Sequence, residues 1–460
     1  MTSAILERLI CEHIVAATPE QMGEAARQAA VRGIADTIGC MAAAAHAPGI
    51  DLLAEQVRLW GGRAEASVLG HGFACPAPLA AWVNGAMARA LEIDDVTDFL
   101  PLHPSAVLTP ALLALSEARS PLRGEEFVTA MAVGQDLILR LASATRVDGI
   151  TSGRYNLFKV FGVAAALSRA MKLDVERTSH ALGIAYGFAC GEGQSAVDGS
   201  LAFRLQDGNA AHAALMAVLL AERGYTGPRE FLTGRMGFFS SFEPDPIPER
   251  LTAELGRRWR GEEISIKPFA ACRCTHSAIG LALEQRRLNP KLHESIEAIE
   301  IRVAPIVHKL VGAEVDPQGV PPTQASAQFS LAYTVAVALV DGDAFLEQFT
   351  PQALARKDVL ALARRITSVA DPEMHDERFV TGRTRIEMHM RDGGVRCVEG
   401  VEPPGNPSNP VSAEMLRDKF VKCLNGSQRP YHNDNADALL SSILDIERAG
   451  DVDVLVYGLR

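Results

Sequence analysis

Three carboxylates and one imidazole lie close together in the first half of the chain, immediately before a predicted helix. Glu92, Asp94 and Asp95 form a short acidic segment, and His103 follows at the helix start. Backbone N–H groups at a helix N-terminus favour a bound carboxylate, so these residues could form one edge of a site for a small acid. The alternative is structural, with Asp95 and Asp98 decorating or capping the loop and His103 capping the helix.

A second candidate group lies in the segment KPFAACRCTHSAI, which begins at Lys267. Cys272, Cys274 and His276 could be interpreted as part of a zinc site. Such a site would need a fourth ligand from a recognisable partner motif, and no motif in the sequence has the required spacing. We therefore predict no metal and expect the two thiols to be ordinary buried side chains.

Two kinds of sequence pattern, strand-like alternation and helical periodicity, predict the secondary structure that must position these residues. Hydrophobic and charged residues alternate at 299–303, as in a half-buried strand, and Asp392-Gly393-Gly394 is typical of a hairpin. The predicted fold is mainly α, with a large all-helical domain at 1–266 and 405–460 and a smaller α+β domain at 267–404. Helical periodicity predicts the main helices of the first domain at about 104–118, 124–144, 158–171, 175–189 and 209–223.

Composition narrows the possible functions. The net charge of -11 argues against a surface that recruits nucleic acid through its phosphates, although a local cluster of cations could still bind an acidic substrate. The 8 cysteines show no stapling pattern and indicate a reducing, cytoplasmic compartment. Charged residues interrupt the first fifteen positions, and His71 with several prolines and glycines interrupts the apolar stretch 66–88, so neither a signal peptide nor a membrane span is predicted.

Taken as strings, Asn84-Gly85, ALEIDD (90–95) and HPSAVLTPALLALSE (103–117) resemble the MmgE/PrpD family. Later segments extend the resemblance over most of the chain: FGVAAALSRAMKL (161–173), GNAAHAALMAVLLAERGYTGP (208–228), KPFAACRCTHSAI (267–279) and FSLAYTVAVALVDG (329–342). The family includes 2-methylcitrate dehydratases, cis-aconitate decarboxylases and iminodisuccinate epimerases. The resemblance implies proton movement next to a carboxylate without metal or organic cofactor, a helical domain with an α+β lid, a site between them and a homodimer.

Two segments depart from the family pattern. Dehydratases and decarboxylases usually carry a G-F-H-P-T segment where this chain has Ser152-Gly153-Arg154-Tyr155-Asn156. They also tend to carry K-R-L-H where this chain has Phe203-Arg204-Leu205-Gln206. These losses favour iminodisuccinate epimerization, because inversion at one carbon needs only two proton-transfer groups on opposite faces. A lyase with substituted residues and a non-catalytic acid-binding protein are the alternatives.

For the epimerase hypothesis, Tyr155 and Lys267 are the predicted catalytic pair. Tyrosine and lysine ordinarily titrate near 10 and 10.4, so each needs burial or a neighbouring cation to act as a base at neutral pH. The structural alternatives are a packed tyrosine at a helix start and a solvated lysine at a domain junction. The predicted substrate-binding residues, which would hold a small di- or polycarboxylate or supply those cations, are His103, Asp94, Asp95, Arg154, Lys159, Arg204, Arg273 and His276.

Overall fold

The computed structural model describes residues 3–100, 102–145, 154, 157–243, 245–313, 321, 323–376, 382–427 and 433–460. The chain divides into two compact units. The first, here called the helical unit, comprises Met1–Asp95, Leu102–Glu262 and Arg417–Arg460. The second, here called the mixed unit, comprises Val96–Pro101 and Glu263–Leu416.

Helices dominate the described residues, in keeping with a mainly α protein. They are α1 (Ser3–Ala16), α2 (Pro19–Ala44), α3 (Ile50–Trp60), α4 (Ala77–Arg89), α5 (Pro104–Ala118), α6 (Gly124–Ala144), α7 (Lys159–Ala170), α8 (Val175–Tyr186), α9 (Gln194–Val197), α10 (Ala202–Glu222), α11 (Phe238–Phe242), α12 (Glu249–Thr252), α13 (His276–Leu288), α14 (Leu292–Ser295), α15 (Pro305–Val311), α16 (Gln324–Gln328), α17 (Leu331–Asp341), α18 (Pro351–Leu354), α19 (Lys357–Ala363), α20 (Ala413–Asn425) and α21 (Asn433–Leu444). The strands are β1 (Ala66–Val68), β2 (Phe73–Cys75), β3 (Val96–Thr97), β4 (Ile264–Ser265), β5 (Ile296–Val303), β6 (Ile366–Ala370), β7 (Thr384–Met390) and β8 (Val395–Gly400).

Glycines allow α4 and α10 to pack at very short range in the helical unit. A Cβ on Gly85 would lie 2.8 Å from Cα of Gly208, and a Cβ on Gly208 would lie 2.3 Å from the carbonyl oxygen of Trp82. No other residue fits this crossing without moving backbone, because interiors are close-packed. The crossing brings Arg89, the last residue of α4, beside Asp207 on α10.

A second close crossing joins α6 to α7. Gly134 and Gly162 face each other there, and a Cβ on either would approach the other's carbonyl oxygen to 3.0 Å or less. Lys159, the first residue of α7, is thereby held in the core. Helix α6 has the length and apolar composition of a membrane span, but 94% of its most apolar window is buried inside the protein, as in a core helix.

The mixed unit is built on a four-stranded sheet in the order β6-β5-β7-β8. β5 pairs parallel with β6 and antiparallel with β7, and β7 and β8 form an antiparallel hairpin. Ile299, Ile301 and Val303 are buried, while the residues between them are partly exposed, so the predicted alternation is confirmed. The hairpin turn contains Gly393 at φ 83°, a left-handed conformation that favours glycine.

The predicted helices at 104–118 and 124–144 match α5 and α6, whereas α10 begins at Ala202, earlier than predicted. The prediction of an all-helical first domain was wrong in one respect, because the helical unit also contains the β1–β2 ribbon. Its strands are three residues long, too short for alternation to reveal them. The domain division at 266 and 404 stays a prediction.

Candidate active site

The imidazole of His103 is held in the helical unit by one hydrogen bond and by one nearby carboxylate. Its Nδ1 lies 2.9 Å from Oδ2 of Asp94 and 2.7 Å from the carbonyl oxygen of Asp95. A carbonyl oxygen can only accept, so Nδ1 carries a proton and Nε2 is the nitrogen that can take up or release one. Asp94 is fully buried and His103 is 3% exposed. This geometry is suited to proton transfer, because the carboxylate stabilises the imidazolium that forms.

A chain of buried ion pairs extends from Asp94 through α4 to α10. Nη1 of Arg89 lies 2.5 Å from Oε1 of Glu92 and 3.3 Å from Oδ1 of Asp94. Its Nε lies 3.5 Å from Oδ2 of Asp207, whose Oδ1 accepts a 2.6 Å hydrogen bond from Lys159 Nζ. Burial lowers the pKa of Lys159, and the Asp207 carboxylate opposes that shift.

We call this set the His103 network: Arg89, Glu92, Asp94, His103, Lys159 and Asp207. It contains three carboxylates and two cations besides the imidazole. Arg204 also interacts electrostatically with Glu92 and Arg89 of this network. The Asp94 carboxylate, 2.9 Å from Nδ1, would stabilise a positive charge on the imidazole of His103.

Asp95 takes the structural role that the sequence left open. Its Oδ1 accepts the backbone N–H of Ser105 in the first turn of α5 at 3.2 Å, as a helix-capping carboxylate does. Burial, together with the nearby carboxylates of Asp36 and Asp94, raises the pKa of Asp95 to about 8, although the hydrogen bonds from Ser105 oppose this. Asp95 therefore supports the turn that carries His103, and its predicted contact with substrate stays a prediction.

A buried lysine from the C-terminal part of the chain supports the same turn. Nζ of Lys419 on α20 donates to the carboxylate of Asp36 on α2, and to the carbonyl oxygen of Ile93 at 2.5 Å. Burial alone would lower the pKa of Lys419, but Asp36 and two neighbouring thiols outweigh burial and raise it. Sequence reasoning missed Lys419, because it lies 383 residues from Asp36.

In the mixed unit, Arg273 forms a two-pronged ion pair with Asp98. Nε and Nη2 of Arg273 lie 2.6 Å and 2.9 Å from the two carboxylate oxygens, and Nη1 donates to the carbonyl oxygen of Pro404 at 2.6 Å. Asp98 also accepts from Ser265 Oγ at 2.6 Å and Asn406 Nδ2 at 2.7 Å. Burial would raise the pKa of Asp98, but Arg273 and these donors hold it below its ordinary value. The pair joins the β3 segment to the loop that follows β8.

Lys267 and His276 are both buried in the mixed unit. Lys267 is 1% exposed, so the alternative of a solvated lysine is wrong. The chain beside it is fixed where the backbone N–H of Ile266 donates to the carbonyl oxygen of Gly405 at 3.1 Å. Nε2 of His276 lies 3.1 Å from the carbonyl oxygen of Ala271. Catalysis by Lys267 and substrate binding by Arg273 and His276 stay predictions.

Comparison with known proteins decides the family. The chain matches the MmgE/PrpD N-terminal domain over residues 8–250 and the MmgE/PrpD C-terminal domain over residues 269–441. It belongs to the MmgE/PrpD family. It is 28% identical to the cis-aconitate decarboxylase-like protein oryM of Aspergillus oryzae over 97% of this chain and 95% of that protein. It is 27% identical to the cis-aconitate decarboxylase of Aspergillus terreus over 93% of this chain and 87% of that protein.

The residues that depart from the MmgE/PrpD pattern on α10 have structural partners. The ring of Phe203 lies 5.0 Å from the guanidinium carbon of Arg89. Gln206 donates through its amide to the carbonyl oxygen of Glu192 at 2.8 Å and to Ser195 Oγ at 3.1 Å, which ties α10 to α9 and to the loop before α9. Arg204, between them in sequence, donates to the carbonyl oxygen of Pro48 at 2.5 Å, and burial lowers its pKa.

The remaining predicted residues of this MmgE/PrpD chain lie near or beyond the limits of the described structure. Tyr155, one of the two predicted catalytic groups, lies outside the described residues. Arg154 is described and exposed, and its Nη1 donates to the carbonyl oxygen of Phe242. The structure thus brings Asp94, Asp95, His103 and Lys159 together within the helical unit. Sequence reasoning missed Arg89 and Asp207, although Arg89 directly precedes the family string at 90–95.

Proposed function

We propose that this protein is a lyase that acts on a small polycarboxylic acid, as a cis-aconitate decarboxylase or a related dehydratase. The observation that carries the proposal is the buried Asp94–His103 pair, in which the carbonyl oxygen of Asp95 holds the proton on Nδ1 and the Asp94 carboxylate lies 2.9 Å from the same nitrogen. Support comes from relatives named for cis-aconitate decarboxylation that align over nearly the whole chain. The epimerase hypothesis from the sequence has no support among these relatives.

A decarboxylation requires one proton-transfer group at the carbon skeleton. The bond to the departing carboxylate breaks, carbon dioxide leaves, and the electron pair stays on the substrate. The substrate is then a carbanion. Imidazolium His103 delivers its Nε2 proton to the carbanion, which yields an unsaturated dicarboxylate and neutral imidazole. Asp94 stabilises the imidazolium before transfer, and solvent restores the proton afterwards. No metal or organic cofactor enters these steps.

The decisive experiment supplies cis-aconitate to the purified protein in deuterated water and follows carbon dioxide and products by NMR. We expect carbon dioxide release with one deuterium in the product. His103→Gln should lower the rate by about 100-fold or more, because a positioned acid or base contributes about 10²–10⁴. His212→Gln is the matched control, since that ring caps a carbonyl oxygen of Pro78 outside the network. An unchanged rate in His103→Gln would remove this residue from the chemistry.

Water loss from 2-methylcitrate, measured in the same way, tests the dehydratase form of the proposal. Here the same imidazole removes a proton next to a carboxylate and returns it to the departing hydroxyl group. A rate with 2-methylcitrate above that with cis-aconitate assigns the protein to dehydration. No turnover of either acid, with His103 intact and the protein folded, contradicts the lyase proposal as a whole.

Epimerization of iminodisuccinate is the second candidate, and one observation favours it. Phe203 and Gln206 stand where lyases of the family tend to carry lysine and histidine, and both are committed to packing or to a loop contact. Deuterium uptake without loss of water or carbon dioxide is the result that identifies an epimerase. Tyr155→Phe and Lys267→Ala test the two-base scheme, since each should then abolish inversion of the carbon. The homodimer implied by the family resemblance remains a further proposal, to be measured by sedimentation.

A further inference from the structure

Three potential metal ligands meet in the helical unit at a place that the proposed chemistry does not use. His46 follows α2, Asp51 lies in the first turn of α3, and His71 lies in the turn between β1 and β2. One ligand atom from each lies within 4.8 Å of the others. The two imidazole rings have centroids 5.0 Å apart and are tilted by 47°. Separate elements therefore converge on one point.

Backbone contacts fix the orientation of His71. Its Nε2 lies 2.8 Å from the carbonyl oxygen of Ala45, which can only accept, so Nε2 carries the proton and the lone pair lies on Nδ1. Nη2 of Arg58 donates to the carbonyl oxygen of His71 at 2.9 Å and holds the turn in place. A ligating histidine typically donates its other N–H to a carbonyl or carboxylate oxygen in this way.

Small rotations of the side chains can bring the three ligand atoms to the separations found around a coordinated metal ion. Bonds of about 2.1 Å at tetrahedral angles put two donor atoms about 3.4 Å apart. Nδ1 of His46 lies 2.7 Å from Oδ1 of Asp51, so this pair has to open slightly. Every separation is at most 4.8 Å, so no pair has to close by more than about 1.4 Å. Half-buried His46 and exposed Asp51 have the freedom to do both.

We propose that His46, Asp51 and His71 bind one divalent transition-metal ion of the zinc class. Two imidazoles and one carboxylate suit zinc, cobalt or nickel, whereas calcium and magnesium prefer oxygen ligands alone. A cavity of about 510 Å³ adjoins the site, with His46, His71, Arg58 and Arg460 in its wall. Three protein ligands leave a fourth position for water or for an anion from this cavity.

The test titrates Zn²⁺ into untagged, chelator-treated protein by calorimetry, with Co²⁺ absorption as a report of coordination. We expect one saturable site and visible bands of nitrogen- and oxygen-bound Co²⁺. His71→Ala and Asp51→Ala should each weaken Zn²⁺ binding by about 100-fold or more, since loss of an outer partner alone costs about 10–100-fold. Asp51 is 60% exposed in its side chain, so its replacement leaves the fold intact.

His389→Ala is the matched control, because His389 also pairs with a carboxylate, Glu387, at 3.1 Å but without a third ligand in the described residues. Its Zn²⁺ affinity should equal that of the unsubstituted protein. Two results would overturn the proposal. One is the absence of a saturable Zn²⁺ site in the unsubstituted protein, and the other is equal affinity in Asp51→Ala and His389→Ala.

Discussion

Replacing Asp95 with asparagine should make the stability of the protein less dependent on pH. Burial raises the pKa of Asp95 to about 8, whereas an unfolded aspartate titrates near 3.9. A raised folded-state pKa means that the folded protein binds a proton that the unfolded chain releases. The contribution of Asp95 to the free energy of unfolding is therefore fully present below about pH 4 and is lost as the pH rises to about 8. Its slope within that window is about 1.4 kcal/mol per pH unit.

Asparagine is nearly isosteric and its Oδ1 can still accept the N–H of Ser105, so the helix cap persists. Between about pH 5.5 and about pH 7.5, the free energy of unfolding of the unsubstituted protein should fall by about 2.7 kcal/mol more than that of Asp95→Asn. Urea unfolding monitored by circular dichroism at both pH values gives this difference directly. If the difference in free energy of unfolding between the two proteins stays constant with pH, the argument that Asp95 is buried with its proton is refuted.

Three further substitutions test the contacts that support the site. Gly405→Ala should lower the free energy of unfolding by at least about 2 kcal/mol, because Gly405 has φ 91° and a Cβ there would lie 1.9 Å from the carbonyl oxygen of Ile266. Gly393→Ala is the control for backbone strain alone, because Gly393 has φ 83° and no atom near its Cβ position. This control should lower the free energy of unfolding by about 1–2 kcal/mol, measured by urea unfolding. Arg273→Met should cost about 3–5 kcal/mol in the same assay, because it leaves Asp98 buried without its cation, and addition of Asp98→Asn should recover much of that loss. Arg89→Lys should lower kcat for the proposed decarboxylation at least about tenfold, because an ammonium group cannot hold Glu92, Asp94 and Asp207 at once; an unchanged kcat would exclude Arg89 as a positioning residue.

Local sequence patterns predicted much of the fold. Helices α5 and α6 were predictable from periodicity, and the β7–β8 hairpin from Asp392-Gly393-Gly394, because each depends on residues adjacent in sequence. The segment that holds Asp94 and His103 was recognisable for the same reason. The β1–β2 ribbon was not, since three-residue strands depend on tertiary packing for their stability.

The partners that complete the site were beyond sequence reasoning. Asp207 reaches Arg89 only because two glycines let α4 and α10 touch, and Lys419 reaches Asp36 from the other end of the chain. Arg273, a predicted substrate-binding cation, forms an ion pair with Asp98 through Nε and Nη2, and its role toward a substrate stays a prediction. Nothing in the sequence distinguishes an arginine for a substrate from an arginine for a neighbouring carboxylate, because both offer the same donors to the same acceptor.

The number of proton-transfer groups that each reaction needs separates the two proposed functions. A decarboxylase must deliver one proton to one face of a carbon, and His103 with Asp94 has the geometry for a single such delivery. An epimerase needs a second group on the opposite face, for which Tyr155 and Lys267 were predicted. The His103–Asp94 pair supplies the single proton-transfer group that the proposed decarboxylation needs, whereas the proposed epimerization also depends on Tyr155, which lies outside the described residues.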